Sequence, residues 1–525
     1  VIARLRGAHR GWTLAFAAAI VLVCVLHLSA LGSSPPGLYV DEASVGYNAW
    51  SVAHTGYDEH GHHLPLYFEA FGEYKNPVYI YALAPFTLVL PLTPYVVRLP
   101  AALFGLVMCL MLALFARIAT GSRLAALLTL LTAGITPWLV QESRIGFEVI
   151  SMLALLSVML WCFARAVQRG SWRWYGGAGL ALGLSTFAYS TGRAFTVLLL
   201  LAILLSFGIG TRGRAWLASL AGPLAGVLTL VAYNGIHSGA ITARYNAISI
   251  NFDAPGIPVL AQRFLSNYAD YWDPRFLFTH GDANLRHSTG WGGMLLVTTL
   301  PAILLGAAQC ARRRREPLPR FLLLGAILAP VPAALTAEGT PHSLRASCML
   351  PFLLGFAAYG WCSIGERLRD RRTLAAIAAA AVAAEAASFF YDLYVEYPGR
   401  ALAWFDTGQG PAIQRAVELA GSNQVLLSSN LDAAYIQALF YLRPDPPPEG
   451  HPAEEVLAAI GVRIADPAEM GSVARHGDIL VLAPGDTLPA GAQVIEVEQR
   501  MVGGGAVSVV GNGARPVELA VIARD

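Results

Sequence analysis

Charge is scarce in this chain: 13% of its 525 residues are Asp, Glu, Lys or Arg, against roughly 25% in soluble domains, while 55% are hydrophobic. With a mean hydropathy of +0.52, a water-soluble globular enzyme is excluded. The formal net charge is only +2. There is no basic stripe with interleaved aromatics, so a nucleic-acid partner is excluded as well. No glycine-rich phosphate loop is present. The six cysteines, Cys24, Cys109, Cys162, Cys310, Cys348 and Cys362, all fall in apolar blocks and none in a polar loop. Their spacing fits neither a disulfide framework nor a zinc ribbon.

What the chain does have is long apolar blocks, the mark of a multispanning membrane protein. Hydropathy predicts about eleven transmembrane helices, near 11–31, 95–116, 124–141, 147–164, 173–189, 194–210, 215–234, 291–311, 320–337, 344–364 and 373–392. The first follows Arg4, Arg6 and Arg10 and reads as a retained signal-anchor helix. A twelfth block, 78–92, covers only ~22 Å of a ~30 Å hydrocarbon core. Charge settles its placement. If 78–92 does not cross, Arg117 and Arg123, then Arg165, Arg169 and Arg173, then Arg212 and Arg214, then 312–315, then Arg367, Arg369, Arg371 and Arg372 all join the basic N-terminus on the cytoplasmic side. The block is therefore expected as a juxtamembrane helix on the outer face, broken by Pro77, Pro85, Pro91 and Pro94.

The fold class expected is thus mainly α: a polytopic domain over 1–393 with outer loops at 32–95 and 235–290, then a small α/β extracytoplasmic domain over 394–525. The tail offers β-rich runs at 425–429, 479–482, 494–497, 506–510 and 519–522, and helix-like stretches at 411–420 and 453–460. The outer loops hold most of the acids, histidines and aromatics outside the helices. Chemistry is expected on the outer face of the plasma membrane, with a cytoplasmic N-terminus.

Within those loops, Tyr39-Val40-Asp41-Glu42 places two carboxylates just after the first span. Such a pair serves as general base or metal ligand, or Asp41 caps a helix starting at Glu42. Tyr74-Lys75-Asn76-Pro77 sets a lysine beside aromatics and a short apolar helix, suited to a phosphate at headgroup depth or to an ordinary snorkelling lysine. Glu148 begins a span, as an active-site acid or a solvated helix-start acid. Arg193 and Arg345 stand at outer ends of spans against the positive-inside trend, which calls for a local anionic partner. The tract His60-Gly61-His62-His63 fixes no metal geometry. Aromatics between Phe264 and Phe278 line either a sugar or lipid-phosphate pocket or an interfacial belt.

In order and topology, Asp41-Glu42-Ala43, Tyr74-Lys75-Asn76-Pro77, Ser143-Arg144-Ile145-Gly146-Phe147-Glu148, Arg286-His287-Ser288 and His342-Ser343-Leu344-Arg345 resemble the GT-C class of polyprenyl-phosphate-dependent glycosyltransferases. The similarity is greatest to glycosyltransferase family 39, which holds protein O-mannosyltransferases and lipid A aminoarabinose transferases. It covers roughly residues 10–400. One departure is Asn76, where many relatives carry a proline.

The resemblance implies an inverting transfer of a sugar from a polyprenyl-phosphate donor to an acceptor hydroxyl of a glycan, lipid or protein. Asp41 would be the base and Glu42 its helper. Lys75, Arg286 and Arg345 would hold the donor phosphate. Glu148, Arg144, Tyr74, Arg193, His287 and His342 would contact substrate. The resemblance leaves a divalent metal open and implies no other cofactor. The rival classes are a transporter or flippase of lipid-linked glycans and a non-catalytic glycan-assembly factor. Midplane regions nearly free of charge and the lack of an internal repeat speak against the first. The gathering of acids, lysine and arginines at outer helix ends speaks against the second.

Overall fold

The computed structural model describes residues 2–208, 214–237, 242–251, 253, 256–449, 451–475, 477–483 and 485–487, then the strand residues 492–497, 499–502, 505–508, 510–511, 515–516 and 518–522. Among the features expected above, Arg212, parts of the 235–290 loop and Val509 lie outside the described residues. The chain divides into two units, Val1–Ser29 with Ala101–Tyr391, and Ala30–Pro100 with Asp392–Asp525. The first outer loop therefore folds in one unit with the C-terminal segment.

Among the described residues, seven helices are long and apolar enough to cross a membrane: Arg10–Leu28, Pro94–Thr120, Val149–Arg169, Ser190–Gly208, Ala215–Ile236, Pro317–Ala334 and Arg372–Arg400. The remaining four expected spans are helical too, as Arg123–Ile135, Trp172–Ser185, Leu300–Arg312 and Met349–Leu368. The fold is that of a mainly α, multi-pass membrane protein. In the first unit, backbones meet at glycines. A side chain at Gly306 would run into the Phe356 carbonyl, and one at Gly360 into that of Ala302, so Leu300–Arg312 and Met349–Leu368 pack with main chains in contact. Small residues at helix interfaces serve this way in lipid, where burying apolar side chains gains little.

Two buried polar groups of this unit are paired against the chain's first helix, α1 (Ile2–Leu28). The fully buried His27 ring contacts Ser143 Oγ at 2.8 Å and the Gly134 carbonyl at 3.1 Å. Arg144, also fully buried, donates to the carbonyls of Leu26 and Ser29. It thereby satisfies acceptors that a helix C-terminus leaves open.

The second unit begins with α2 (Val40–Thr55), a hairpin of β1 (Phe68–Ala70) and β2 (Glu73–Lys75), and α3 (Pro77–Thr87). It then takes in the first turns of α4 (Pro94–Thr120). The 78–92 block is thus an 11-residue helix, about 16 Å long at 1.5 Å per residue and too short to span. Asn76 occupies its N-cap and Pro77 its first turn, where a missing N–H costs nothing.

The C-terminal part carries a five-stranded sheet in the order Val462–Ala465, Val425–Ser428, Ile479–Leu482, Glu518–Ile522, Ala492–Val497. The first three strands are parallel, and Glu518–Ile522 runs antiparallel between its neighbours. Leu426, Met470, Ala474, Leu480 and Leu482 form a core on it. Helices Gln409–Ala420 and Ala453–Ala459 match the expected helical stretches.

Candidate functional site

The two carboxylates of the Asp41-Glu42 pair have opposite fates. Tyr39 is the N-cap of α2, and its backbone N–H donates to Glu42 Oε2 at 3.2 Å. The capping acid is therefore Glu42 and not Asp41, because the helix starts at Val40 and puts Glu42 on its third position, where a side chain reaches back. Glu42 is fully buried and accepts from Arg98 Nε and one terminal guanidinium nitrogen, both at 2.8 Å. Arg98 also donates to the carbonyls of Leu31, Pro35 and Gly37. One guanidinium from α4 thus fixes the whole turn leading into α2. Asp41 points elsewhere, with its side chain 34% exposed.

Asp41 Oδ1 accepts from Lys75 Nζ at 2.7 Å. Lys75 ends β2, in a hairpin whose register pairs Phe68 with Lys75, Glu69 with Tyr74 and Ala70 with Glu73. Its side chain is 7% exposed, and its ammonium lies 5.1 Å from the Phe71 ring centroid. A half-buried carboxylate held against a nearly buried cation is an arrangement that can take a proton on one side and steady an anion on the other.

Behind this pair lies a second acidic group. Asp58 Oδ1 accepts the backbone N–H groups of His60 and His62, and Asp58 Oδ2 lies 3.2 Å from His62 Nδ1. The histidine tract is thus folded on an aspartate. Glu59 is fully buried, its backbone N–H donating to Asn48 Oδ1 at 2.9 Å. Burial pushes the Glu59 carboxyl up to about 8, with Asn48 opposing, Asp58 adding to the rise, and Lys75 and Ser44 opposing it.

The other expected site residues lie in the first unit. Arg144 ties down α1, as described. Glu148 is the half-buried N-cap of the Val149–Arg169 helix. Arg193 stands in the first turn of Ser190–Ile203. The anionic partner of Arg345 is Glu338, at 2.7 Å, and Thr336 Oγ1 accepts from the same guanidinium at 3.1 Å. Arg286 and His287 share a tight turn in which Asn284 Oδ1 accepts the Arg286 N–H. The His287 and His342 rings lie 4.4 Å apart.

Asp282, His287 and His342 each offer a ligand atom, all within 4.8 Å of one another. One carboxylate oxygen and two imidazole nitrogens suit a borderline divalent cation, which would bring positive charge to a phosphate oxygen. Asp282 Oδ2 already lies 3.0 Å from His287 Nδ1 and accepts the Ser343 N–H at 2.8 Å. Burial alone would raise the Asp282 carboxyl, but the His287 and Ser343 contacts outweigh it and hold it below the usual range.

Sequence reasoning passed over Arg98, Asp58, Glu59 and Asp282. Arg98 had a readable signal: it is a cation in the first turns of the apolar helix Pro94–Thr120, where an unpaired charge is costly. A further signal lies in composition. Of 36 basic residues, Lys75 is the single lysine and the rest are arginine. A chain that otherwise uses arginine throughout has placed its one compact ammonium beside Asp41.

Residues 74–235 match the model of the dolichyl-phosphate-mannose-protein mannosyltransferase family. No curated protein sequence matches the chain. Among solved structures, ArnT from Cupriavidus metallidurans bound to undecaprenyl phosphate is similar at a TM-score of 0.60 and 16% identity, over 98% of this chain and 99% of that one. The apo form of the same protein gives a TM-score of 0.57 at 14% identity, over 98% of each chain. Oligosaccharyltransferase AglB from Archaeoglobus fulgidus, in complex with an inhibitory peptide and a dolichol-phosphate, gives 0.50 at 15% identity, over 86% of this chain and 69% of that one. The chain therefore has the GT-C glycosyltransferase fold, and its residues 74–235 carry the sequence pattern of the dolichyl-phosphate-mannose-protein mannosyltransferases.

Proposed function

We propose that the protein is an inverting glycosyltransferase that moves a sugar from a polyprenyl-phosphate donor to an acceptor hydroxyl on the outer face of the plasma membrane. The observation that carries this reading is the Asp41–Lys75 contact of 2.7 Å, made by a reachable carboxylate and the chain's single lysine. The ArnT and AglB structures hold polyprenyl phosphates, and a lipid-phosphate donor is the extension of that fact to this chain.

In this reading the acceptor oxygen attacks the anomeric carbon as Asp41 takes its proton. The bond from that carbon to the phosphate oxygen breaks, and its electron pair leaves with the polyprenyl phosphate. Lys75 steadies the charge that grows on the phosphate. A single displacement inverts the anomeric centre. Glu42, buried against Arg98, acts through the geometry of the α2 turn and does not touch substrate. Arg345 and Arg286 are proposed as further anion ligands, and Glu148, Arg144, Tyr74, Arg193, His287 and His342 as groups that shape substrate binding. The cytoplasmic N-terminus and extracytoplasmic C-terminal segment follow from the arginine-rich loops.

The test is transfer of labelled sugar from a polyprenyl-phosphate donor by the purified protein in proteoliposomes, with the anomeric configuration of the product read by NMR. Retention of configuration, or no transfer with any such donor, would refute the reading.

A further inference from the structure

The turn between β1 and β2 consists of Phe71 and Gly72, both with positive φ, 56° and 73°. A two-residue hairpin turn of this hand needs φ above zero at both positions, which glycine and asparagine accept and a bulky side chain resists. A left-handed phenylalanine persists only where its surroundings impose it, and such residues gather where backbone position is used. Phe71 is 40% exposed, so its own burial does not impose it.

Two groups touch it. The Lys75 ammonium lies over one side of the ring. The ring of Tyr435 meets it edge-on at 6.0 Å between centroids.

Tyr435 belongs to the C-terminal segment, in the Ala434–Leu442 helix. That helix is fixed at two further points. Gln437 Nε2 donates to the Leu38 carbonyl at 3.1 Å, immediately before the Tyr39–Glu42 turn. The Phe440 ring packs on α2 at Gly46, where an added side chain would come within 2.6 Å of it. One helix thus braces both halves of the pair: the turn that carries Asp41 and the hairpin that carries Lys75.

We infer that Tyr435 is a positioning residue, which by holding Phe71 sets the Lys75 ammonium against the Asp41 carboxylate, so that the C-terminal segment completes this half of the site. The inference rests on the reading of Lys75 as a phosphate ligand only for its kinetic consequence. The placement itself is measurable without any turnover.

Because Lys75 is the only lysine, acetylation by acetic anhydride reports its accessibility cleanly by mass spectrometry of the peptide that contains it. The full-length protein in nanodiscs is compared with Tyr435→Phe, which keeps the ring, and Tyr435→Leu, which removes it. Lys75 in Tyr435→Leu is expected to acetylate roughly 5- to 10-fold faster, and its donor KM to rise about 10-fold with kcat changed by less, as for a lost binding contact. Tyr435→Phe should stay within about threefold of wild type on both readouts. Acetylation and donor KM both unchanged in Tyr435→Leu would overturn the inference. Faster acetylation in a protein that transfers no sugar would keep the positioning role and discard the glycosyltransferase reading. Should Tyr435→Leu fail to fold, Phe71→Ala removes the shared ring and is judged by the same two readouts.

Discussion

Arg98 and Glu42 form a fully buried ion pair in which the guanidinium grips both carboxylate oxygens at 2.8 Å. The remaining N–H groups of Arg98 are spent on three backbone carbonyls of the preceding turn. The pair buries Glu42 and fixes the backbone of Asp41, one residue earlier.

Breaking that pair from one side is expected to be severe. Arg98→Met strands a buried carboxylate, and Glu42→Leu a buried guanidinium, each costing about 3–5 kcal/mol. The double variant should recover part of the loss, because no charge is then left alone. Thermal unfolding of the four proteins in one detergent checks this as a double-mutant cycle. A double variant as unstable as the sum of the singles would contradict it.

Stability should fall as pH rises, through Glu59. Its folded pKa of about 8 lies above the ordinary carboxyl value, so between the two the folded state holds a proton that the unfolded state has lost. The stabilisation that goes with the proton is complete below the unfolded pKa and is lost as pH rises through the folded one, with a slope approaching one proton. Melting temperature against pH, compared between wild type and Glu59→Gln, reads this out. The glutamine variant should lack that part of the decline.

Lys75→Ala is expected to weaken donor binding by roughly 10- to 100-fold while leaving acceptor KM nearly unchanged. Lys75→Arg should not restore it, since a planar fork replaces a compact ammonium that fits between Asp41 and the Phe71 ring. Equal losses for donor and acceptor would argue against a phosphate role.

In the first unit, Gly360→Leu should prevent stable folding, because its side chain has only the Ala302 carbonyl to occupy. Loss of the monodisperse peak on size-exclusion chromatography measures it. Normal elution would show that the two helices separate at little cost.

Seven of the expected spans and most of the C-terminal strands were legible in the sequence because hydropathy and β-branched runs are local signals. The strand Val462–Ala465 and the helix Ala434–Leu442 were not read, the first because Arg463 interrupts its apolar run and the second because it is an apolar run without caps. Asp41 and Lys75 stood out as charges in a chain with few. Their contact joins residues 34 apart and follows from hairpin register, which the sequence does not display. The buried role of Glu42 was hidden for a related reason: its partner Arg98 is 56 residues away on another helix. Spacing showed that Asp41 and Glu42 were paired in sequence, but only the helix start at Val40 decides which carboxylate faces outward.

The central claim, that Asp41 is the base of a sugar transfer, is tested most directly by Asp41→Asn in proteoliposomes with a polyprenyl-phosphate sugar donor. Asparagine keeps the shape and removes the proton acceptor, so transfer should fall by about 10²- to 10⁴-fold, with donor binding and folding retained. Transfer at the wild-type rate by the folded variant would contradict the account.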